Sequence, residues 1–244
     1  MIMEEKNHYL IPGSIMVAGI LIAGAVWFGP PSGRTTLLNG RADENNKGAA
    51  QALPSGGGDM RPVSADEHIR GNPEAPVNVV EYSDLECPFC KRFHATMQQV
   101  IDEYGKKGEV AWVYRHFPLD ALHSKARKEA EAIECANELG GHVAFWNYID
   151  RLFEVTPSNN GLDLTQLPVI AKNIGLDQSA FKTCLDSGKF ADYVSRDLDD
   201  ARAAGGSGTP YSIVIAANGE KFTINGAQPF EEVKRIIDAA LQAK

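Results

Sequence analysis

The chain has 244 residues, a formal net charge of -8 and a sequence pI near 5.3. An acidic chain without a basic stripe lacks the electrostatic footprint of a nucleic-acid-binding protein. Hydrophobic residues make up 43% of the chain, which is enough for a packed core. Its four cysteines are too few for a disulfide scaffold of this length, but they can form two pairs.

The N-terminus contains an uncharged apolar stretch. Residues 9–28 read YLIPGSIMVAGILIAGAVWF, and as a helix they would span about 30 Å, the hydrocarbon thickness of a bilayer. Tyr9 and Trp27 lie where interfacial aromatics are expected. We therefore predict a transmembrane anchor after a short segment, 1–8. A cleaved signal peptide is the alternative, with residues 23–25 as the small-residue site, but three further apolar residues follow them.

The anchor is followed by a predicted linker and then a folded domain. Residues 29–61 are rich in Gly, Pro, Asn and Ala without an apolar period, which is typical of a flexible tether. The domain is predicted to cover residues 62–244. Near its start, Ser64 and Glu67 form a capping-box pattern, which predicts a short helix that Gly71 ends.

The remaining pattern alternates strands and helices. A strand–helix–strand unit comes first, and such a unit predicts two parallel strands with a right-handed crossover. A long helical stretch, a hairpin and a final helix follow, so the sequence predicts an α/β fold with a central sheet between helices. The predicted elements are a strand at 77–82, a helix at 88–104, a strand at 109–115, helices over about 120–204, a hairpin turning at 218–219, and a helix at 230–241.

Cys87 and Cys90 form a Cys-x-x-Cys pair that has three interpretations. A structural zinc site needs four ligands, usually in two close pairs, but Cys135 and Cys184 lie on separate predicted helices. His94 could supply a third ligand, and no fourth is evident. A static disulfide would close a very short loop and would therefore stabilise the fold only weakly.

The redox interpretation has a physical basis. Cys87 lies at the start of the predicted helix, where free amides and the helix dipole favour a thiolate. Cys90 lies one turn further, on the apolar face that carries Phe93 and Met97. We therefore expect an exposed Cys87 that attacks or is attacked, and a sheltered Cys90 that resolves the mixed disulfide.

Several motifs resemble those of the DsbA-like thiol:disulfide oxidoreductases, which have a thioredoxin fold with an inserted helical subdomain. The resemblance covers about three quarters of the chain, from about Ser64 to the C-terminus. It implies the same α/β fold here, preceded by the predicted transmembrane helix. The matching motifs, in chain order, are VVEYSDLECPFCKRFH, YRHFPL, ECA, FKTCLDSGK, GTP and INGAQPFEEVKRIIDAAL.

This resemblance assigns roles to individual residues. Cys87 resembles the nucleophile of the family and Cys90 its resolving cysteine. Pro210 resembles the family's cis-proline, with the Thr209 backbone placed beside the cysteine pair; a plain trans turn is the alternative. Glu81 resembles the buried acid below the disulfide, which can relay a proton as Cys90 ionises, whereas the alternative is a solvent-exposed glutamate at a strand end.

Two further features bear on the resemblance. Pro88-Phe89 departs from the Pro-His of the well-known oxidases, and Phe89 cannot stabilise a thiolate as a histidine would. Cys135 and Cys184 resemble a second, structural pair found in part of the family. They could instead be two buried thiols.

The resemblance implies an enzyme without a cofactor or metal that introduces disulfides into reduced exported polypeptides and is reoxidised by a DsbB-like membrane oxidase. Because disulfides persist outside the cytoplasm, we expect the domain on the extracytoplasmic side of a membrane. Basic residues after the predicted anchor lean against this orientation. The alternatives are a reductase or isomerase of the same fold, a non-catalytic docking module and a zinc-binding module.

Overall fold

A mixed sheet forms the centre of the domain. The computed structural model describes residues 56–64 and 66–243. In this part of the chain a five-stranded sheet has the order β1-β3-β2-β4-β5. Only the β2–β3 pair is parallel, which confirms the predicted crossover, and the other described pairs are antiparallel. The strands are β1 His68–Gly71, β2 Val77–Ser83, β3 Val110–His116, β4 Tyr211–Ile215 and β5 Lys221–Asn225.

Helices flank this sheet, and four of them form the insertion between β3 and β4 that the sequence predicted. The longest, α2, is kinked at Gly141, whose φ of 66° and ψ of -165° lie outside the helical region. The helices are α1 Pro88–Glu103, α2 Ala126–Val155, α3 Leu167–Asn173, α4 Gln178–Ser187, α5 Ala191–Ala203 and α6 Phe230–Gln242.

Apolar side chains fill both faces of the sheet. On one face, α1, α6 and the inserted helices α2, α3 and α4 pack around the β3 residues Trp112 and Tyr114. On the other face, α5 packs Leu198 and Ala201 against Val80 of β2 and its neighbours. The predicted central sheet with helices on both sides is therefore confirmed. Burial of this apolar surface provides the main driving force for folding.

The predicted helix after Ser64 is wrong, because residues 68–71 form the edge strand β1 instead. Glu67 does not close a capping box; its carboxylate pairs with Arg115, which is fully buried, at 2.8 Å. The chain then runs beside β3, with His68 opposite Tyr114. This long-range ion pair and the strand pairing outweigh the local helix signal.

The predicted anchor at 9–28 and most of the predicted linker lie outside the described residues. Within the described residues, no helix has the length and apolar character required to cross a membrane. The last part of the predicted linker contacts the folded domain. The backbone N–H of Asp59 donates to the carbonyl of Ala203, and that of Arg61 donates to the Asp200 carboxylate.

Candidate active site

The turn between β2 and α1 is held by the side chain of Asp84. Its carboxylate accepts hydrogen bonds from the backbone N–H of Glu86 at 2.8 Å and of Leu119 at 2.7 Å. It also contacts Nδ1 of His123 at 2.9 Å. The backbone N–H of Cys87 donates to the Asp84 carbonyl. These bonds fix the direction in which the chain enters α1.

Cys87 is the N-cap residue of α1, with an extended backbone (φ -77°, ψ 121°), and Pro88 occupies the first turn. Its side chain makes no capping hydrogen bond, so the first amides of the helix have no side-chain partner at this position. The backbone N–H groups of Phe89 and Cys90 both lower the pKa of the Cys87 thiol. A helix start therefore favours the thiolate, as the sequence predicted.

The two thiols have opposite acidities. The hydrogen bond from Cys90 is the largest cause lowering the pKa of Cys87, to about 6, although burial opposes it. Burial is also the main cause raising the pKa of Cys90 well above its usual range, and the neighbouring Cys87 adds to this effect. At neutral pH Cys87 is therefore the thiolate of the pair, and thiolates are the reactive form.

Cys90 lies in the core and Cys87 is also largely covered. Cys90 is 0% exposed and its sulfur accepts a hydrogen bond from the Asp84 N–H. Cys87 is only 4% exposed, so the expectation of an exposed Cys87 is wrong. The loop before β4 causes this burial, because the carbonyl oxygen of Thr209 lies 3.6 Å from the Cys87 sulfur.

The Thr209–Pro210 loop forms the other wall of the site. The peptide bond between these two residues is cis. The carbonyl of Pro210 accepts a hydrogen bond from the Gly226 N–H at 2.9 Å. The loop also lines a shallow cavity of about 200 Å³ between residues 207–211 and Asn225–Gly226. An open surface therefore lies directly beside the covered sulfur.

Glu81 lies inside the sheet and not in solvent. It is 0% exposed, and burial raises the pKa of its carboxyl group to about 7. Ser83 and Trp112 lie close enough to lower this pKa in part, but neither makes a hydrogen bond of ordinary geometry to the carboxylate. The charge of Glu81 raises the pKa of Cys90, which places the two side chains near each other.

Further unpaired polar atoms surround Glu81. In the register of the sheet, Glu81 of β2 lies between Tyr114 of β3 and Ser212 of β4. Among the described residues, their side chains and those of Ser83 and Trp112 have buried polar atoms without a hydrogen-bond partner. Buried polar groups normally have partners, so this polar cluster is unusual, and such groups can accept or pass on a proton.

The remaining predicted residues have defined places. Phe89 is 53% exposed, and its ring lies 5.2 Å from the guanidinium carbon of Arg92. Because the Phe89 side chain has no polar atom, only the backbone N–H of this residue can donate a hydrogen bond to the thiolate. Cys135 of α2 and Cys184 of α4 form a disulfide. This bond joins two inserted helices and leaves Cys87 and Cys90 as the free cysteines of the described residues.

Sequence reasoning missed Glu129 and the structural role of Asp84. Glu129 is 0% exposed on α2 and lies close to Glu86. A signal for its burial was present, because Glu129 shares helical spacing with the small and apolar residues Ala126 and Ile133. A glutamate at such a position of an amphipathic helix is expected to face the core. No group of three or more metal-ligating side chains suited to a metal occurs among the described residues.

The mixed sheet, with a Cys-x-x-Cys at the start of α1 opposite a cis-proline, defines a thioredoxin-fold protein. A family model described as Thioredoxin matches residues 64–239. The chain therefore belongs to the thioredoxin family.

Solved structures refine this assignment to a DsbA-like form of the fold. DsbA2 of Pseudomonas aeruginosa is 28% identical with a TM-score of 0.62, and the match covers 75% of this chain and 98% of that one. Oxidised BdbD of Bacillus subtilis is 26% identical with a TM-score of 0.65, covering 78% and 99%. These similarities confirm the thioredoxin-like fold with a helical insertion and support membership of the oxidoreductase class.

A curated relative is named as a transporter and not as an oxidoreductase. The protein called Na(+)/H(+) antiporter NhaA 3 of Salinispora tropica is 37% identical over 152 residues, which are 62% of this chain and 22% of that protein. The chain thus spans less than a quarter of that relative. Its name describes a protein of which this chain resembles only a part.

Proposed function

We propose that the protein is a thiol:disulfide oxidoreductase that introduces disulfides into exported proteins through Cys87 and Cys90. One observation carries this proposal: the pKa of Cys87 is lowered to about 6 while that of the fully buried Cys90 is raised. This asymmetry gives one sulfur the properties of an attacking and leaving thiolate and the other those of a sheltered resolving thiol.

The exchange follows from this difference. A substrate thiolate attacks the Cys87 sulfur of the Cys87–Cys90 bridge, and Cys90 leaves with the electron pair. A second substrate thiolate then attacks the substrate sulfur of the mixed disulfide and releases Cys87 as a thiolate. The substrate loses two electrons and the enzyme gains them. Glu81, with a pKa of about 7, supplies the proton that Cys90 takes up.

The direction of the reaction follows from thiolate stability. An environment that stabilises the Cys87 thiolate stabilises the reduced enzyme, and it therefore makes the bridged form a stronger oxidant. The hydrogen bond from Cys90 and the helix amides supply this stabilisation. Phe89 contributes none through its side chain, so the proposed oxidising strength comes from Cys90, the Thr209 side chain and the backbone.

The cis-proline loop is the proposed docking edge for substrate. Thr209 lies against the nucleophile and also borders the shallow cavity. An extended peptide can pair with such an edge through its main chain, which requires little sequence specificity. The reduced, unfolded segments of exported polypeptides fit this chemistry.

The cellular setting proposed here rests on the sequence and on redox chemistry. Substrate oxidation of this kind operates outside the cytoplasm, where disulfides persist. The apolar stretch at 9–28 would hold the domain at the extracytoplasmic face of a membrane. A DsbB-like membrane oxidase would restore the Cys87–Cys90 bridge after each cycle.

Equilibration of the purified domain with glutathione buffers tests the oxidase proposal. The redox state of Cys87–Cys90 would be read by mass spectrometry after alkylation, together with the oxidation of a dithiol peptide. We expect a potential above about -200 mV and peptide oxidation. A value near or below about -270 mV would contradict an oxidase and favour the reductase alternative. Peptide oxidation undiminished by Cys87→Ser would contradict catalysis through this pair.

A further inference from the structure

Two buried carboxyl groups lie side by side next to the nucleophile. Glu86, which directly precedes Cys87, and Glu129 of α2 are both 0% exposed, and their side chains lie within hydrogen-bonding reach of each other. Apart from this mutual contact, Glu86 Oε1 and both Glu129 oxygens have no hydrogen-bond partner among the described residues. Two buried carboxylates this close would repel each other strongly, so the pair is stable only with one proton shared between them.

The groups around this carboxyl pair offset its charge only in part: Lys125 lowers the pKa of Glu129, but burial and Glu86 raise it more. The carboxylate of Asp84 also lies near Glu129, but it pairs with Nδ1 of His123. Lys125 donates its ammonium protons to the backbone carbonyls of Asn160 and Leu162.

The hydroxyl group of Tyr148, which is close enough for Glu129 to raise its pKa, donates to the carbonyl of Leu167. Burial, followed by Glu86, raises the pKa of Glu129 to about 9. Glu129 is therefore the member that carries the proton at neutral pH.

Glu86 also holds a loop in an unfavourable conformation. Its side chain accepts a hydrogen bond from the Asn160 N–H, and its carbonyl accepts one from the Asn159 N–H at 2.7 Å. Ser158, Asn159 and Asn160 have φ values of 63°, 53° and 63°. Three successive non-glycine residues in the left-handed region are costly and persist only where the surroundings hold them in place.

We propose that Glu86 and Glu129 are a positioning pair for Cys87, in which one shared proton keeps Glu86 bound to the loop 158–160 and fixes the turn that presents the nucleophile. This inference rests on the proposed function of Cys87. The pair does not touch the reacting sulfur atoms, and it acts through the backbone between Glu86 and Cys87.

The proton that Glu129 carries, and not the shape of the Glu129 side chain, determines the expected effect of each substitution. Glu129→Gln keeps a donor to Glu86 and the same net charge as the protonated carboxyl group. Glu129→Leu removes the donor, so no hydrogen bond from Glu129 offsets the negative charge of Glu86 beside Cys87, and the pKa of that thiol rises. Glu138→Gln, on the same helix but in an ion pair with Lys189, is the matched control.

The test uses reduced full-length protein and two readouts. The first is the rate at which iodoacetamide alkylates Cys87 at pH 6, with the site identified by mass spectrometry. The second is amide hydrogen exchange at Asn159 and Asn160. In Glu129→Leu we expect about fivefold slower alkylation, equal to a rise of about one unit in the pKa of Cys87. Exchange at the two amides should be at least about tenfold faster, because without the Glu129 donor the Glu86 side chain is no longer oriented toward the loop. Glu129→Gln and Glu138→Gln should stay within about twofold of the unsubstituted protein.

Two results would overturn the inference: Glu129→Leu matching the unsubstituted protein in both readouts, or Glu129→Gln being as impaired as Glu129→Leu. If Glu129→Leu does not fold, Glu86→Gln replaces it. That change removes the charge beside Cys87, so alkylation at pH 5, where only about a tenth of Cys87 is thiolate, should rise about threefold, and an unchanged rate would contradict the proposal. Failure of the unsubstituted protein to oxidise a dithiol peptide would defeat the proposed function alone, because the alkylation and exchange readouts need no turnover.

Discussion

The Cys87 sulfur lies 3.6 Å from the carbonyl oxygen of Thr209, although the two residues are 122 positions apart in the chain. The loop before Pro210 therefore covers the nucleophile and also supplies the edge on which a substrate would dock. Access to the sulfur and recognition of the substrate depend on the same short segment.

The Thr209 side chain helps to stabilise the Cys87 thiolate. It lowers the pKa of Cys87, and its Oγ1 is buried without a hydrogen-bond partner of ordinary geometry among the described residues, so it is free to donate to the thiolate. In Thr209→Val the thiolate loses this donor, and we expect its titration midpoint to rise by about half a unit to one unit. Absorbance of the thiolate near 240 nm measures this midpoint. Thr209→Ser keeps the hydroxyl group and should retain the original value; equal shifts in both variants would contradict a role for the hydroxyl.

The stability of the reduced protein should depend on pH through Cys87. The pKa of this thiol falls from about 9 in the unfolded chain to about 6 in the folded protein. A lowered pKa adds stability that is present above pH 9 and is lost as the pH falls through 6. Urea unfolding of reduced and oxidised protein between pH 5 and 9 measures this contribution. We expect the reduced form to gain stability relative to the bridged form across this window, and parallel curves would argue against a stabilised thiolate.

Glu81 should have the opposite effect on stability. Its carboxyl pKa is raised from about 4.5 to about 7 by burial. The stability that this proton provides is present below pH 4.5 and is lost as the pH rises through 7. Glu81→Gln should therefore flatten the dependence of the unfolding free energy on pH between these values. It should also slow the step that protonates Cys90, measured as the rate of dithiol-peptide oxidation. Glu220→Gln, at an exposed turn, is the control, and an unchanged profile in Glu81→Gln would contradict a buried proton there.

The Cys135–Cys184 disulfide should stabilise the domain without taking part in exchange. It joins α2 and α4 across 49 positions, and a loop of this length is worth about 4 kcal/mol in the chain-entropy description. The double variant Cys135→Ala, Cys184→Ala should lose about 2–5 kcal/mol of unfolding free energy in urea titrations. The redox titration of Cys87–Cys90 should be unchanged; a shifted potential would mean that the two pairs are coupled.

Local pattern was sufficient to predict most of the fold. Apolar periodicity gave α1 and α6 nearly to the residue, and the turn residues Asn218-Gly219 placed the hairpin of β4 and β5. The edge strand β1 was missed because its local sequence resembles a helix cap. Its conformation is decided by Arg115 and the edge of β3, which are distant in sequence.

The site could be predicted where its residues are neighbours in sequence, and less well where they come together only in the fold. Cys87, Cys90 and the helix start could be interpreted together from one short segment. The burial of Cys87 could not, because Thr209 arrives from the other end of the domain. The burial of Glu129 had a signal in its helical spacing with Ala126 and Ile133, but its contact with Glu86 could not be predicted, because the two residues are distant in sequence.

Trapping of the mixed disulfide tests most directly whether Cys87 exchanges bonds while Cys90 resolves. In Cys90→Ala protein, Cys87 would either be activated as a mixed disulfide and offered a reduced peptide, or be left reduced and offered an oxidised peptide. The products would be analysed by mass spectrometry beside those of Cys87→Ala. We predict a stable peptide adduct on Cys87 in the first variant and none on Cys90 in the second, because burial raises the pKa of Cys90 well above its usual range. An adduct on Cys90 in Cys87→Ala, or no adduct in either variant, would contradict the account.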